Sequence, residues 1–231
     1  MLQIRRAHER GHANHGWLDT WHTFSFSGYY DPEHMGFRTL RVINDDKIRA
    51  GVGFPSHPHR DMEIITYVLS GSLKHQDSMG NGSTILPGDV QRMSAGSGIT
   101  HSEFNASQTE ELHLLQIWIL PDKNNYQPSY EQKHFSAQAR QRTLCLVASP
   151  TGEQNSVSLH QDVYLYAGLL NSEQPVQYIL QEKRYAWLHV AKGEVTIAEK
   201  QFATGDAIAF QGPQAIDIQG TNAEVLLFNL N

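Results

Sequence analysis

The chain has 231 residues, a formal net charge of -6 and a single cysteine, Cys145. This length accommodates one large or two modest globular domains, and the acidic charge with scattered Lys and Arg argues against direct binding to nucleic acid. One cysteine excludes an internal disulfide and any metal site with several thiolates, so a bound metal must use nitrogen and oxygen ligands.

The predicted secondary structure is almost entirely β. Short runs of Val, Ile, Leu and aromatic residues are separated by turns that contain Gly and Pro, a pattern typical of strands. Helical periodicity is scarce, and only residues 136–142 are predicted as a short helix. The predicted strands are, in chain order, 39–43, 64–69, 90–94, 112–120, 163–170, 185–190, 207–210 and 224–230.

An internal repeat predicts two related β-barrels. In the first copy a strand ends at Gly71 and a Gly-Asp turn at Gly88 begins another; the second copy repeats this pattern at Gly193 and Gly205. Repetition of a whole unit indicates two similar domains. We therefore expect an N-terminal domain at 1–121, a linker at 122–142 and a C-terminal domain at 143–231.

Two His-containing segments of the first copy predict a metal site. One residue separates His57 from His59, and one residue separates His101 from Glu103. On an extended strand, residues with this spacing project to the same face. If the two strands are neighbours in one barrel, three imidazoles and one carboxylate converge on a point, and these groups bind divalent metals.

Two carboxylates compete for the fourth ligand position. Glu63 lies four residues beyond His59, which keeps it on the same face of an uninterrupted strand, but the intervening Arg-Asp pair indicates a turn. Glu103 requires no such assumption because it is two residues from His101. We therefore favour Glu103 as the ligand, and interpret Glu63 as a supporting neighbour or a surface carboxylate.

The second copy lacks these ligand types. With the glycines of the two copies aligned, the four ligand positions hold Ile179, Gln181, Ile218 and Gly220. We expect one metal site per chain, in the N-terminal half, with the C-terminal half as a scaffold or an interaction surface.

Several N-terminal segments resemble a known family. They are Trp21-His-Thr-Phe-Ser-Phe, Leu40-Arg-Val-Ile-Asn, His57-Pro-His-Arg-Asp-Met-Glu-Ile and Met93-Ser-Ala-Gly-Ser-Gly-Ile-Thr-His-Ser-Glu. Over residues 1–120 the chain is similar to the pirin family of bicupins, and close to bacterial pirin-like proteins that act as quercetin 2,3-dioxygenases. The resemblance implies two cupin (double-stranded β-helix, or jelly-roll) barrels in tandem. The metal ligands that it implies are His57, His59, His101 and Glu103.

The resemblance also implies an activity. The expected reaction is metal-dependent opening of the heterocycle of flavonols such as quercetin by O2, with release of carbon monoxide. An open site of three imidazoles and a carboxylate favours one iron(II) ion per chain, while manganese, nickel, cobalt, copper and zinc remain admissible. Glu103 is expected to act as the catalytic base as well as a ligand.

Two other functions stay open. The first is a non-enzymatic, metal- and redox-responsive regulatory protein that acts through protein–protein contacts. The second is a different cupin dioxygenase or isomerase that uses the same ligands on another enediol. For the enzyme we expect a monomer that binds a small aromatic substrate and O2. We expect it in the cytoplasm because the sequence contains neither a signal-peptide pattern nor a run of about 18 apolar residues.

Further residues near the predicted site have ordinary interpretations beside the functional ones. The histidines before the barrel could form a second metal site, or could have capping, turn and aromatic packing roles; they are His12, His15, His22 and His34. A supporting role in the core is expected for His113. Four aromatic residues could either line a ring-binding pocket or pack in the core: Trp17, Trp21, Phe24 and Phe26.

Overall fold

The computed structural model describes residues 3–231, and its secondary structure is almost entirely β, as predicted. Its α-helix, α1, spans Ala137–Arg140, and 3-10 turns occur at Ala7–Glu9 and Glu153–Asn155. The strands are β1 (Gln3–Arg5), β2 (Gly11–Asn14), β3 (Leu18–His22), β4 (Leu40–Ile48), β5 (Gly53–His59), β6 (Glu63–Ser70), β7 (Leu73–Asp77), β8 (Gly82–Ile85), β9 (Asp89–Ser94), β10 (Ile99–Asn105), β11 (Leu112–Ile119), β12 (Ser129–His134), β13 (Cys145–Ser149), β14 (Val157–Ser158), β15 (Val163–Leu170), β16 (Val176–Leu180), β17 (Tyr185–Ile197), β18 (Lys200–Ala203), β19 (Ala207–Gln211) and β20 (Gln214–Leu230).

All eight apolar runs that were predicted as strands lie in strands of the structure, apart from the end residues 39 and 120. The predicted helix is present but shorter: the Ser136 side chain accepts a hydrogen bond from the Ala139 amide at 3.2 Å and caps the start of α1. Within residues 3–231, no helix has the length and apolar character needed to span a bilayer.

The described chain divides into two compact units. Residues 11–134 and 157–161 form one unit, which we call the N-terminal barrel; residues 3–10, 135–156 and 162–231 form the other, which we call the C-terminal barrel.

This division differs from the predicted boundaries at residues 3–10, in the expected linker and at residues 157–161. Residues 3–10 belong to the C-terminal barrel because β1 pairs with β19, with Ile4 opposite Ile208. The segment expected as a linker contains β12, which pairs with β9 in the N-terminal barrel, with Gln132 opposite Gln91. The polar residues of β12 concealed it from a search for apolar runs.

The N-terminal barrel consists of two sheets. Four strands follow the order β5-β10-β7-β8, and seven follow the order β12-β9-β6-β11-β4-β3-β2. Burial of one large apolar side chain contributes roughly 1.5–3 kcal/mol. One apolar cluster of this barrel comprises Leu18, Ile48, Val68, Leu73, Ile85, Leu112 and Leu114.

The C-terminal barrel has a more continuous apolar core. Its main sheet has the order β1-β19-β17-β20-β15-β13, with β16 also pairing with β20 and β18 with β17. Its buried cluster includes Leu188, Val190, Phe202, Phe210, Ile216, Ile218, Val225 and Leu227.

The glycines of the predicted repeat adopt matching conformations. Gly71, after β6, has φ +80°, and Gly193, within β17, has φ +73°. A Cβ atom would lie 2.8 Å from the Glu111 carbonyl oxygen at the first position and 2.2 Å from the Asn222 carbonyl oxygen at the second. Left-handed backbone and close approach of a neighbouring strand both require glycine there.

Candidate metal centre

The pairing of β5 with β10 brings the three predicted histidines together. His57 lies opposite His101, and His59 lies opposite Ile99. The ring centroids are 4.5 Å apart for His57 and His101, and 4.8 Å apart for His59 with each of the other two. One ring nitrogen from each lies within 4.8 Å of the others, so the three imidazoles can share one ion.

Neutral imidazoles are the form that binds a metal, and the surroundings of these rings favour it. Burial, together with the neighbouring His57, lowers the pKa of His59 to about 4. Burial and the other histidines lower the pKa of His101 to about 2. At neutral pH both rings therefore carry a free lone pair.

The free nitrogens can be located from the hydrogen bonds. Nδ1 of His57 lies 2.8 Å from the Pro55 carbonyl oxygen, which can only accept, so this nitrogen carries the proton and Nε2 is free. Nε2 of His101 is buried and has no hydrogen-bond partner. A buried polar atom without a partner is costly unless a ligand satisfies it.

Glu103 lies beside His101 rather than at equal distance from all three rings. A carboxylate oxygen of Glu103, a nitrogen of His101 and a nitrogen of His75 lie within 4.8 Å of one another. The Gln116 amide donates to Glu103 Oε2 at 3.0 Å, and the Thr66 hydroxyl donates to Oε1 at 3.3 Å. Burial raises the pKa of Glu103 to about 7, against the effect of the Thr66 hydrogen bond.

The competing carboxylate, Glu63, is engaged elsewhere in the N-terminal barrel. It is buried, and its Oε2 accepts a hydrogen bond from the Ser94 hydroxyl at 2.9 Å. Its Oε1 lies 3.2 Å from Nδ1 of His160. These contacts favour Glu103 over Glu63 as the fourth ligand, and Glu63 fastens the 157–161 segment to β6 and β9.

His75 is a site residue that sequence reasoning missed. It lies on β7 directly opposite Glu103 and is completely buried. The detectable signal was the spacing of Leu73, His75 and Asp77, which places all three on one face of a strand. No apolar run marks β7, and His75 was therefore not assigned to a strand.

Of the five remaining histidine candidates, four have separate side-chain partners, and the backbone amide of His15 donates to the Leu18 carbonyl oxygen at 2.9 Å. Within the described residues they form no group of three possible metal donors. The hydrogen-bonded pairs are His12 Nε2 with Asp19 Oδ1 (2.6 Å), His22 Nδ1 with Asn44 Oδ1 (2.8 Å), His34 Nδ1 with Asp31 Oδ2 (2.9 Å) and His113 Nε2 with Asp45 Oδ1 (2.7 Å).

A cavity of about 840 Å³ opens onto the candidate centre within the N-terminal barrel. His57, His59 and Glu103 line it, and so do five aromatic side chains, Trp17, Phe26, Tyr29, Phe54 and Trp118. Trp17 and Phe26 therefore line a pocket, which was one of the two roles expected for them from the sequence. Of the other two aromatic candidates, Phe24 is buried and Trp21 stacks on His12 at 4.2 Å.

A second buried carboxyl group, Asp46 on β4, also lines the cavity. Its Oδ1 is buried without a hydrogen-bond partner. Burial raises the pKa of Asp46 to about 7, with a further contribution from Asp45, against the effect of the nearby Thr20 hydroxyl. The cavity therefore combines aromatic walls with a few polar groups, as small-molecule sites do.

The C-terminal barrel pairs its strands in a register that corrects the sequence alignment. Val176 of β16 lies opposite Ile218 of β20, and Tyr178 lies opposite Ile216. The counterparts of His57 and His59 are therefore Val176 and Tyr178 rather than Ile179 and Gln181. The alignment was displaced because more residues separate β16 from Gly193 than separate β5 from Gly71. None of the four counterparts is a histidine or a carboxylate.

The donor set fits a divalent metal. It offers neutral imidazole nitrogens, one of which is buried and unpartnered, and a carboxylate next to them. Imidazole with carboxylate suits iron, nickel, copper and zinc, and the absence of thiolates leaves no closed sulfur site.

Matches to known proteins cover almost the whole chain. The model of the Pirin family matches residues 3–119, and a model described as the quercetinase C-terminal cupin domain matches residues 146–230. A protein of Escherichia coli strain K12 named quercetin 2,3-dioxygenase is 55% identical over 233 residues, which cover 100% of this chain and 99% of the relative.

Two solved structures from Escherichia coli are similar along their full length. The crystal structure of YhhW has a TM-score of 0.95 and 52% identity, and the match covers 100% of this chain and 98% of that chain. The structure described as bacterial pirin YhhW in complex with nickel(II) has a TM-score of 0.93 and 52% identity, with coverage of 100% and 99%. The two barrels are therefore cupin barrels, and the chain belongs to the pirin family of bicupins.

Proposed function

We propose that this chain is a metal-dependent dioxygenase that opens the heterocycle of flavonols such as quercetin with O2 and releases carbon monoxide. The observation that carries the proposal is the convergence of His57, His59 and His101, with Glu103 adjacent, at the wall of an aromatic cavity. The name of the Escherichia coli relative supports the same substrate class.

In this proposal His57, His59, His101 and Glu103 hold one divalent ion, and iron(II) is our first choice. When bound, such an ion supplies Lewis acidity and redox chemistry. A nickel(II) complex of a structure that is 52% identical to this chain supports binding of a divalent ion at a centre of this kind.

The residues of the cavity orient the substrate and move one proton. The flat walls formed by Phe54, Trp118 and their aromatic neighbours position a planar ring system and exclude water. Glu103 takes the proton of the flavonol hydroxyl group on a carboxylate oxygen. Gln116 and Thr66 keep that carboxylate in a fixed orientation through their hydrogen bonds.

The experiment is aerobic turnover of quercetin by metal-stripped protein reloaded separately with iron(II), manganese(II), nickel(II), cobalt(II), copper(II) or zinc(II). The expected result is loss of the flavonol absorption, one depside and one carbon monoxide per O2 consumed, and no reaction without O2. His101→Ala removes the activity, whereas His134→Ala, which changes an exposed histidine of the same barrel, retains it. Absence of turnover with all six ions would refute the proposal.

A further inference from the structure

His75 links the candidate metal centre to Asp77, a carboxylate on β7 that is not part of the cavity lining. Its Nδ1 lies 3.4 Å from Nδ1 of His101, and its Nε2 lies 3.3 Å from Oδ2 of Asp77. The ring stacks on Tyr130 with a centroid distance of 5.1 Å. The side chains of His75 and Asp77 are both fully buried, so this arrangement is fixed by packing as well as by hydrogen bonds.

The hydrogen bonds of Asp77 identify it as an acceptor only. Its Oδ1 accepts the backbone amides of Met79 at 2.9 Å and Asn81 at 3.0 Å, and its Oδ2 accepts the Asn81 side-chain amide at 2.8 Å. Burial raises the pKa of Asp77, but the hydrogen bonds from Asn81, His75 and Met79 lower it, and the net shift is downward. Asp77 is therefore a carboxylate, and Nε2 of His75 carries a proton and donates it to Oδ2.

The direction of this bond decides the protonation of His101. In the neutral form of His75 the ring carries only one proton, and the bond to Asp77 places that proton on Nε2. Nδ1 of His75 is therefore a lone pair, and the contact at 3.4 Å requires Nδ1 of His101 to donate. The second nitrogen of His101, Nε2, is then without a proton, and it is the buried nitrogen that has no partner in the protein.

We propose that His75, held by Asp77, is a positioning residue that fixes His101 in the tautomer whose Nε2 is free to bind the ion. The proposal rests on the metal site of the proposed function and adds two residues to it. Metal-binding histidines commonly donate their second N–H to a carboxylate or a carbonyl group. His57 does so directly through the Pro55 carbonyl oxygen, whereas His101 does so through an intervening imidazole.

The direct test is the tautomeric state of the histidines in the full-length chain. Long-range proton–nitrogen correlation spectra of protein labelled with nitrogen-15 histidine, recorded metal-free and zinc-loaded, distinguish Nδ1–H from Nε2–H rings. We expect Nε2–H for His75 and Nδ1–H for His101, assigned from single substitutions. A doubly protonated His75, or an Nε2–H form of His101 in the metal-free protein, would overturn the proposal.

The second test reverses the chain of hydrogen bonds. In Asp77→Asn an amide N–H can face His75 Nε2, which moves the ring proton to Nδ1 and forces His101 to accept. We expect nickel(II) and zinc(II) to bind about 10–100-fold more weakly, as measured by competition with a chelator. His75→Leu should lose a similar factor, and His75→Asn should recover part of it by restoring an acceptor near Nδ1 of His101.

Asp89→Asn is the matched control. Asp89 also contacts a histidine ring, His134, at 2.7 Å and accepts a turn amide, that of Leu86, at 3.0 Å. This variant should keep the wild-type affinity. Wild-type affinity in both Asp77→Asn and His75→Leu would refute the proposal, and if either variant does not fold, the tautomers of the wild-type chain decide. If the wild-type chain binds no divalent ion, the proposed function fails instead.

Discussion

The two barrels use one framework for different interiors. Both turn at glycines with φ near +80° and +73°, and both pair the two strands that correspond to β5 and β10. In the C-terminal barrel the position of His101 is occupied by Ile218, which is fully buried in a continuous apolar cluster. In the N-terminal barrel the same position contains an imidazole beside a cavity. The cupin framework therefore forms without the candidate metal ligands, and at the position of His101 the C-terminal barrel has a core isoleucine instead of an imidazole.

The buried carboxyl groups of the N-terminal barrel have a cost in stability. Glu103 and Asp46 are both buried carboxyl groups, and burial raises the pKa of each to about 7. A carboxylate is strongly disfavoured in such surroundings unless a positive charge compensates it. Functional sites are commonly less stable than the surrounding structure for this reason.

The largest expected effect comes from giving the N-terminal barrel the residues of its counterpart. In the double variant His57→Val and His101→Ile, two of the three imidazoles are replaced by the residue types at Val176 and Ile218. Metal affinity should fall at least about 1,000-fold, equivalent to roughly 4 kcal/mol. Titration calorimetry with nickel(II) measures the loss, and circular dichroism checks that the β-structure is unchanged.

His134→Val is the control for this exchange, because His134 is an exposed histidine of the same barrel. It should bind nickel(II) as the wild type does. Undiminished binding by the double variant would place the ion at other residues and would remove the contrast between the barrels.

The next largest effect concerns the stability that the protein loses by burying the carboxyl group of Asp46. Its folded pKa of about 7 exceeds an unfolded value of about 3.9, so the folded state binds more protons between these pH values and loses stability as the pH rises. Asp46→Asn removes this loss. Relative to the wild type, the variant should gain up to about 4 kcal/mol between pH 4 and pH 8, and the gain levels off above the folded pKa.

Urea unfolding of metal-free protein at pH 5 and pH 8 measures this difference. Asp19→Asn, at a partly exposed carboxylate paired with His12, serves as the matched substitution and should lack the gain. If Asp46→Asn differs from the wild type by the same amount at both pH values, Asp46 does not carry the cost assigned to it.

A third test compares the shared glycine turns. Alanine is strained at positive φ in both barrels, and its Cβ would also meet backbone, at 2.2 Å in the C-terminal turn and 2.8 Å in the N-terminal turn. We expect losses of about 2.5 kcal/mol for Gly193→Ala and about 1.5 kcal/mol for Gly71→Ala. Gly80→Ala, which has positive φ but open space, isolates the conformational part.

Hydrogen exchange should locate each glycine effect in its own barrel. Gly193→Ala should increase exchange in β17 and β20, and Gly71→Ala in β6 and β11. Increased exchange in the opposite barrel would show that the two repeats do not respond as separate units.

The sequence predicted the parts of this molecule that depend on local pattern. Apolar runs indicated eight strands, and the alternation of side chains along a strand placed His57 with His59, and His101 with Glu103, on shared faces. That the two pairs meet depended on the pairing of β5 with β10, which alternation alone does not give. The sequence alignment of the two barrels was wrong at β16, where it chose Ile179 instead of Val176 as the counterpart of His57. The register of a strand depends on the length of the following loop, and sequence similarity does not fix that length. His75 was missed because its role depends on a neighbour across the sheet, Glu103, and on a ring contact with His101.

The smallest expected effect lies outside the metal barrel. Ser136 caps α1 in the C-terminal barrel by accepting the Ala139 amide at 3.2 Å, and Ser136→Ala leaves that amide without its partner. Because α1 is only one turn long and exposed at its start, we expect a loss of about 0.5 kcal/mol, at the low end for such caps. Ser136→Asp, which keeps an acceptor, should restore the stability in urea unfolding. Nickel(II) affinity should be unchanged in both variants, and a change would contradict the assignment of the metal ligands to the N-terminal barrel alone.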